Sequence, residues 1–482
     1  MTTLPLDDDH PHEECGVFGV YGHAESAALA ALGLHALQHR GQEAAGIVVY
    51  DGEQFHAHRA LGHVGENFSS KDVIGRLPGG CAIGHVRYAT TGEVALRNVQ
   101  PPFADFEFGG LAICHNGNLT NSYHLRRQLV RRGSLFQSTS DTEVIVHLIA
   151  TSLKESVEER LIDALRQVQG AYSLVALSQG SVIGVRDPLG VRPLVLGQLG
   201  DAWIIASETC ALDIIGARFV RDVEPGELIV IDGAGLRSSK PFDRARRRLC
   251  IFEYIYFARP DSVVDGISVY ESRKRIGAEL ARESHVPADI VVPVPDSGVP
   301  AAIGYAAECG LPFELGIIRN HYVGRTFIEP TDQIRHLGVK LKHNANRNLQ
   351  GKRVILVDDS IVRGTTSTKI VAMVRQAGAR EVHVRISSPP TTHPCFYGIA
   401  TPERDQLLAS RMSIEEMTRY IEADSLAFVS LDGLYRAMGE RGRDARAPQY
   451  CDACFTGDYA IALADHEAGK VSTQLSLLAE TA

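Results

Sequence analysis

Two domains of different class are predicted by this sequence: an α+β, layered-sheet half up to about residue 240, then an α/β half built on a parallel sheet. Three observations lead there. The 482 residues exceed what one hydrophobic core supports, at roughly 100 to 200 residues per domain. Up to about residue 235, short strand-like runs are interspersed with helices. After Asp289, continuous apolar runs alternate with helical segments, which is how strands read when helices cover both faces of a sheet.

The elements follow in order. Met1 to Glu14 carries Asp7, Asp8, Asp9, Glu13 and Glu14, two prolines and few apolar groups, and reads as a solvated leader that cannot pack. Order begins at Cys15, where ECGVFGVYG resembles a short strand. Residues 24–39, rich in Ala and Leu, form a helix that ends in the turn His39-Arg40-Gly41-Gln42. Strands are expected at 46–50, 111–115, 172–177 and 203–207, with a helix at 141–153 among them. Residues 237–248 (RSSKPFDRARRR) are polar and basic and mark an interdomain linker. Beyond it come strands at 290–294, 353–357 and 381–386, with helices at 299–309 and 366–377, the second closed by Gly378. The expected divisions are a leader (1–14), a first domain (15–240), a second (241–470) and a frayed tail (471–482).

Composition removes several function classes. With 44% hydrophobic and 22% charged residues the chain is not principally disordered. The 58 acidic and 49 basic residues leave a net charge of -9, which disfavours nucleic acid or an anionic membrane as partner, so any phosphate must be gripped locally. No apolar run is long enough to cross a bilayer, and the opening residues lack an export signal, which points to the cytoplasm. Nine cysteines without such a signal make a disulfide framework improbable and turn attention to reactive or metal-binding thiols.

The segment VILVDDSIVRGTTS places Asp358 and Asp359 at the carboxyl end of a buried strand and a Gly/Thr loop at the start of a helix. Ligands bind there in doubly wound sheets. Backbone N–H groups of Gly364 to Ser367 can cradle a phosphate, and the two carboxylates can hold sugar hydroxyls or Mg2+. The alternative, two aspartates that merely cap a helix, stays open on this pattern alone. Neither G-x-x-x-x-G-K-[ST] nor G-x-G-x-x-G occurs, which leaves a sugar phosphate as the better substrate.

That segment resembles the phosphoribosyl diphosphate (PRPP) loop of type I phosphoribosyltransferases. VPVPDSG (292–298) is similar to their pyrophosphate-binding loop, and 320–336, with Arg325 and Ile328, resembles the flap that orders over bound PRPP. The resemblance implies that Ser297, Asp358 and Asp359 reach Mg2+. It also implies that Thr365 and Thr366 surround the 5-phosphate, and that Asp296, Gly298, Arg325, Ser360, Arg363 and Gly364 complete the PRPP site.

In the first half, CGVFGV, LQHRGQEAAGI, HVRYATTG, HNGNL and SDTEV resemble, in family order, the glutamine amidotransferase domain of the N-terminal-nucleophile class, an αββα layered fold. An α-amine with a pKa of about 8 beside a thiol of about 8.5 can take the thiol proton unaided. Cys15 is therefore expected to become the first residue once Met1 to Glu14 is removed. The resemblance implies catalytic roles for Asn116 and Gly117 as oxyanion donors, with Arg87 and Asp141 holding the glutamine α-carboxylate and α-ammonium.

Cys451-Asp-Ala-Cys454 is a C-x-x-C pair, and Cys250 and Cys395 are single. On chemistry alone zinc and an iron-sulfur cluster are comparable. Nearly the whole chain after the leader resembles glutamine PRPP amidotransferases, whose branch with a cleaved leader carries a [4Fe-4S] cluster on cysteines matching Cys250, Cys395, Cys451 and Cys454. The family implies ammonia transfer from glutamine to C1 of PRPP at the entry to purine synthesis, a homotetramer and purine-nucleotide inhibition. Three rivals are weighed against it: a hexosamine-phosphate synthase, a PRPP-sensing regulator without turnover, and an electron carrier.

Overall fold

The computed structural model describes residues 12–13, 15–88, 95–320 and 343–467. Two antiparallel sheets stack in the first half. One has seven strands, with Gly16–Tyr21 beside Cys81–Arg87 and Ala44–Tyr50 beyond it; the other has six, centred on Gly109–Leu119, Gly170–Ser178 and Ser181–Arg186. Alternation along each strand explains the layers. Val17, Val48 and Ile83 point between the sheets and meet Ala112, Cys114, Val175 and Leu177. Their neighbours Phe18, Val20, Ile47 and Val49 point outward, beneath the helix Ser26–Ala36 through Ala30 and Leu34. Helices Ser122–Arg131, Thr142–Thr151 and Val157–Leu165 cover the outer face of the second sheet, over Ile113, Leu174 and Val185. The layers therefore run helix, sheet, sheet, helix.

The second half is the expected parallel sheet, with Ile290–Pro293, Arg353–Asp358, Glu381–Ile386 and Ser425–Phe428 side by side in that order. Both faces are apolar because both are covered. Ile355 and Val357 pack under the helices Val269–Ser284 and Val299–Cys309. Val354 and Leu356 pack under Thr365–Gln376. Sequence reading placed neither the helix Val269–Ser284 nor the strand Ser425–Phe428. The helix buries Ser272, Arg273 and Glu279 beside Val269, Ile276 and Leu280, so its buried face is not an apolar stripe, and the strand SLAF is too short to show a period.

Two expectations need correction. The linker at 237–248 begins inside an ordered strand, since Gly235–Ser239 pairs with Leu228–Asp232. An edge strand exposed on its outer side tolerates polar and charged residues, so its composition looks like a linker. The leader is also not wholly unpacked: His12–Glu13 pairs antiparallel with Ile399–Ala400. Backbone pairing asks nothing of side-chain polarity, so an acidic segment can still add a strand. The tail from residue 468 on lies outside the described residues.

Candidate active sites

Cys15 stands immediately before the strand Gly16–Tyr21, at the edge shared with Cys81–Arg87. Its backbone N–H donates to the Arg40 carbonyl at 2.9 Å. Its Sγ lies 3.9 Å from the Tyr88 carbonyl oxygen. The residue is buried and holds a φ of 114°, a conformation that a side chain adopts only under constraint. Arg87, also buried, ends the adjoining strand.

Asn116 and Gly117, a dipeptide that on its own favours a turn, lie within the strand Gly109–Leu119, opposite Ser173 and Tyr172. Asn116 is fully buried, yet neither its Nδ2 nor its Oδ1 has a hydrogen-bond partner among the described residues. Such a group is costly unless a ligand satisfies it. Gly117 has a φ of 142°, and a Cβ there would fall 2.0 Å from the Ala171 carbonyl oxygen, so only glycine fits.

Asp141 precedes the helix Thr142–Thr151, and its Oδ2 accepts the Leu119 N–H at 3.0 Å, while Oδ1 lies 3.7 Å from His115 Nδ1. Burial pushes its pKa up, but His115 and the N–H donors outweigh that and hold it below the ordinary value. It therefore stays a carboxylate, fit to meet an ammonium. His115 was not foreseen, although it opens the HNGNL motif.

In the second half, the loops after Ile290–Pro293 and Arg353–Asp358 emerge side by side at the carboxyl edge of the sheet, because those strands are hydrogen-bonded neighbours. The second loop holds Asp358 and Asp359, both buried. The Asp359 N–H donates to Asp358 Oδ1 at 2.9 Å, and Ser360 Oγ donates to Asp359 Oδ2 at 2.6 Å. Gly364, not an aspartate, occupies the N-cap of Thr365–Gln376, so helix capping does not explain the pair. Thr365 Oγ1 is buried without a hydrogen-bond partner among the described residues. Thr366 follows it in the first turn, and Arg363 reaches Gln406 at 3.2 Å.

The first loop carries Asp296, Ser297 and Gly298. Asp296 is exposed and paired with Arg319 at 2.5 Å, Ser297 is half-buried, and Gly298 caps the helix Val299–Cys309. Arg325 and Ile328 lie outside the described residues. The strands Ile317–Arg319 and His343–Ala345, which flank that segment, pair antiparallel. One residue near the site gave no sequence signal: Arg273, buried and fixed by the carbonyls of Tyr254, Tyr256 and Ala258. Burial pulls its pKa down to about 10, against the opposing charge of Asp359.

The four cysteines converge from distant segments. Cys250 and Cys451 are register partners in the parallel ladder of Leu249–Cys250 with Tyr450–Cys451. Burial, reinforced by the other three sulfurs, raises the Cys454 thiol well above its ordinary value, and Cys451 is pushed up to about 12, chiefly by burial. Cys395 lies in electrostatic reach of all three. Among the described residues no group of three or more His, Cys, Asp or Glu closes tightly enough for a single metal ion. Sulfur donors from these segments are the donor chemistry of an iron-sulfur cluster and of a zinc site alike.

Comparison with known proteins gives the context. Residues 85–213 match the glutamine amidotransferase domain family and residues 269–387 the phosphoribosyl transferase domain family. An amidophosphoribosyltransferase of Rhizobium etli is 60% identical, covering 99% of this chain and 98% of its own length. That of Bacillus subtilis is 50% identical over 93% and 94%. Among solved structures, an allosteric regulatory enzyme of purine biosynthesis superposes with a TM-score of 0.89 at 49% identity, covering 93% of this chain and 97% of that one. The Bacillus subtilis glutamine PRPP amidotransferase in complex with ADP and GMP gives 0.88 at 49% identity, over 93% and 98%. On sequence and structure alike, the chain belongs to the amidophosphoribosyltransferases, pentosyltransferases of purine biosynthesis with glutamine amidotransferase activity.

Proposed function

We propose that glutamine is hydrolysed at Cys15 and that the ammonia displaces pyrophosphate from C1 of PRPP at the Asp358–Thr366 loop, giving glutamate, pyrophosphate and 5-phosphoribosylamine. Removal of Met1 to Glu14 frees the Cys15 α-amine. The amine takes the thiol proton, and the thiolate adds to the carboxamide carbon. Asn116 Nδ2 and the Gly117 N–H stabilise the resulting oxyanion, each donor contributing about 3 to 4 kcal/mol. The protonated amine returns its proton to the departing nitrogen, ammonia leaves, and water cleaves the thioester. Arg87 and Asp141 orient the amino-acid end. At the second site the N–H groups after Gly364 and the Thr365 and Thr366 hydroxyls bind the 5-phosphate. Asp296, Ser297 and Gly298 face the pyrophosphate, with Ser360, Arg363 and Arg325 completing the grip.

Ser297, Asp358 and Asp359 would hold Mg2+, which neutralises charge on the leaving pyrophosphate. Cys250, Cys395, Cys451 and Cys454 would hold one [4Fe-4S] cluster that ties the C-terminal segment to the domain junction. Divisions at 1–14, 15–240, 241–470 and 471–482, a homotetramer, purine-nucleotide inhibition and a cytoplasmic setting belong to the same reading. The ADP and GMP complex of the Bacillus subtilis relative supports the nucleotide part. Among the described residues no helix is long and apolar enough to cross a membrane.

The observation that supports the reading most is Asn116, buried with neither amide atom hydrogen-bonded among the described residues, on the strand that also carries Gly117. The test is intact mass and stoichiometry on protein purified without air. A chain starting at Cys15 that releases glutamate and pyrophosphate in equal amounts, only with both substrates present, is the expected result. A chain starting at Met1 that still turns over glutamine would overturn it.

A further inference from the structure

A chain of buried contacts joins the two halves of the protein at the glutaminase centre. Arg40, whose carbonyl accepts the Cys15 N–H, points its guanidinium into the domain border. There Nε donates to Glu208 Oε1 and Nη2 to Glu253 Oε2 at 2.7 Å. Glu253 Oε1 accepts Arg192 Nη1 at 3.0 Å, and Arg192 Nη2 donates to the Gly398 carbonyl at 2.7 Å. Gly398 lies against Gly117 so closely that a Cβ on it would be 2.8 Å from the Gly117 α-carbon. Beside it, Asn118 Nδ2 donates to the Phe396 carbonyl at 2.9 Å. All four charged side chains are at most 1% exposed.

Glu253 belongs to the second domain, yet its two oxygens lead to both ends of the glutaminase machinery. One leads through Arg40 to the Cys15 nitrogen, the other through Arg192 and Gly398 to the oxyanion donor Gly117. Buried ion pairs are poor sources of net stability compared with apolar packing of the same volume. They fix geometry in their stead, because every member is costly to leave unpaired. From this connected path we infer that Glu253 is a positioning residue of the glutaminase reaction, holding nucleophile and oxyanion donor in register only when the transferase half is docked.

The inference rests on Cys15 being the nucleophile. In the proposed binding mode Arg87 and Asp141, and neither Arg40 nor Gly117, hold the amino-acid end of glutamine, so the effect belongs in kcat and not in KM. The test uses full-length, mature holoenzyme. Glu253→Gln should lower the glutamine-dependent kcat by about 30-fold or more, in the range of a misplaced oxyanion donor, while glutamine KM and the ammonia-dependent rate stay within about twofold. The acid limb of the glutamine pH profile should move as well, since the Cys15 amine loses its fixed acceptor.

Gly398→Ala should give the same split by way of Gly117 alone. If the isolated charge change prevents folding, the apolar pair Arg192→Met/Glu253→Met carries the measurement with the same expectation. Parallel loss of glutamine- and ammonia-dependent rates, a rise in KM alone, or unchanged glutamine turnover in the variants that fold would each overturn the inference. A wild-type enzyme that releases no glutamate would instead remove the Cys15 reading beneath it.

Discussion

Cys250 and Cys451 face each other in register across a two-residue parallel ladder that joins the start of the second half to its C-terminal segment. Cys454 lies within the next turn, and Cys395 comes from the loop segment whose Phe396 carbonyl binds Asn118 of the first half. Sulfurs from three separate stretches of chain are brought to one junction.

If that junction holds an iron-sulfur cluster, protein purified without air should contain iron and acid-labile sulfide in equal amounts, about four of each per chain. Cys451→Ser should remove both and lower the thermal midpoint. Zinc in place of iron, or no metal, would refute the assignment.

Cys15→Ala should abolish glutamine use and leave ammonia-driven pyrophosphate release intact, because the sulfur and its amine serve the first half-reaction only. Steady-state assays with each nitrogen donor decide this. Equal loss of both rates would show that Cys15 acts on the fold.

Asn116→Ala should lower the glutamine-dependent kcat by about 10²- to 10³-fold with little change in ammonia use. The amide makes no hydrogen bond to the described residues, so its removal strands no partner in the resting enzyme. A thermal midpoint close to the parent's is the control.

Asp359→Asn should reduce both activities by about 10²-fold or more, since a metal-bound leaving group is worth several kcal/mol. Raising Mg2+ should restore part of the rate. A variant with the parent's Mg2+ dependence would place the ion elsewhere.

His85 sets an acid limit on stability. It is fully buried, and burial drops its pKa to about 3, against about 6.5 in an unfolded chain. Below pH 6.5 the unfolded chain takes up a proton that the folded chain refuses, so stability falls with pH until about 3. Between pH 6.5 and 5 the loss is about 2 kcal/mol. His85→Gln should flatten that slope, measured by calorimetry at several pH values. An unchanged slope would assign it to other groups.

Much of this could be read from the chain itself, for local reasons. Continuous apolar runs at 290–294, 353–357 and 381–386 read as covered parallel strands, and the glycine-bearing Asp358 segment read as a loop between a strand end and a helix. The chain did not reveal that Asn116 and Gly117 sit inside a long strand, because a dipeptide that favours turns is overridden by pairing with Ser173 and Tyr172. Arg192, Glu208 and Glu253 are single charged residues without local pattern, and only tertiary contact makes them a group. Arg273 has the same history: nothing beside it in the sequence says that its guanidinium will be enclosed by Tyr254, Tyr256 and Ala258.

The glycine-on-glycine seam between positions 117 and 398 bears on how such proteins can be re-engineered. Backbones that meet without a methyl group of clearance behave as a key cut for one lock. A nitrogen-releasing unit transplanted from another enzyme would keep its own chemistry and lose this fit. Exchange of parts between members of this architecture therefore has to carry both sides of the seam together.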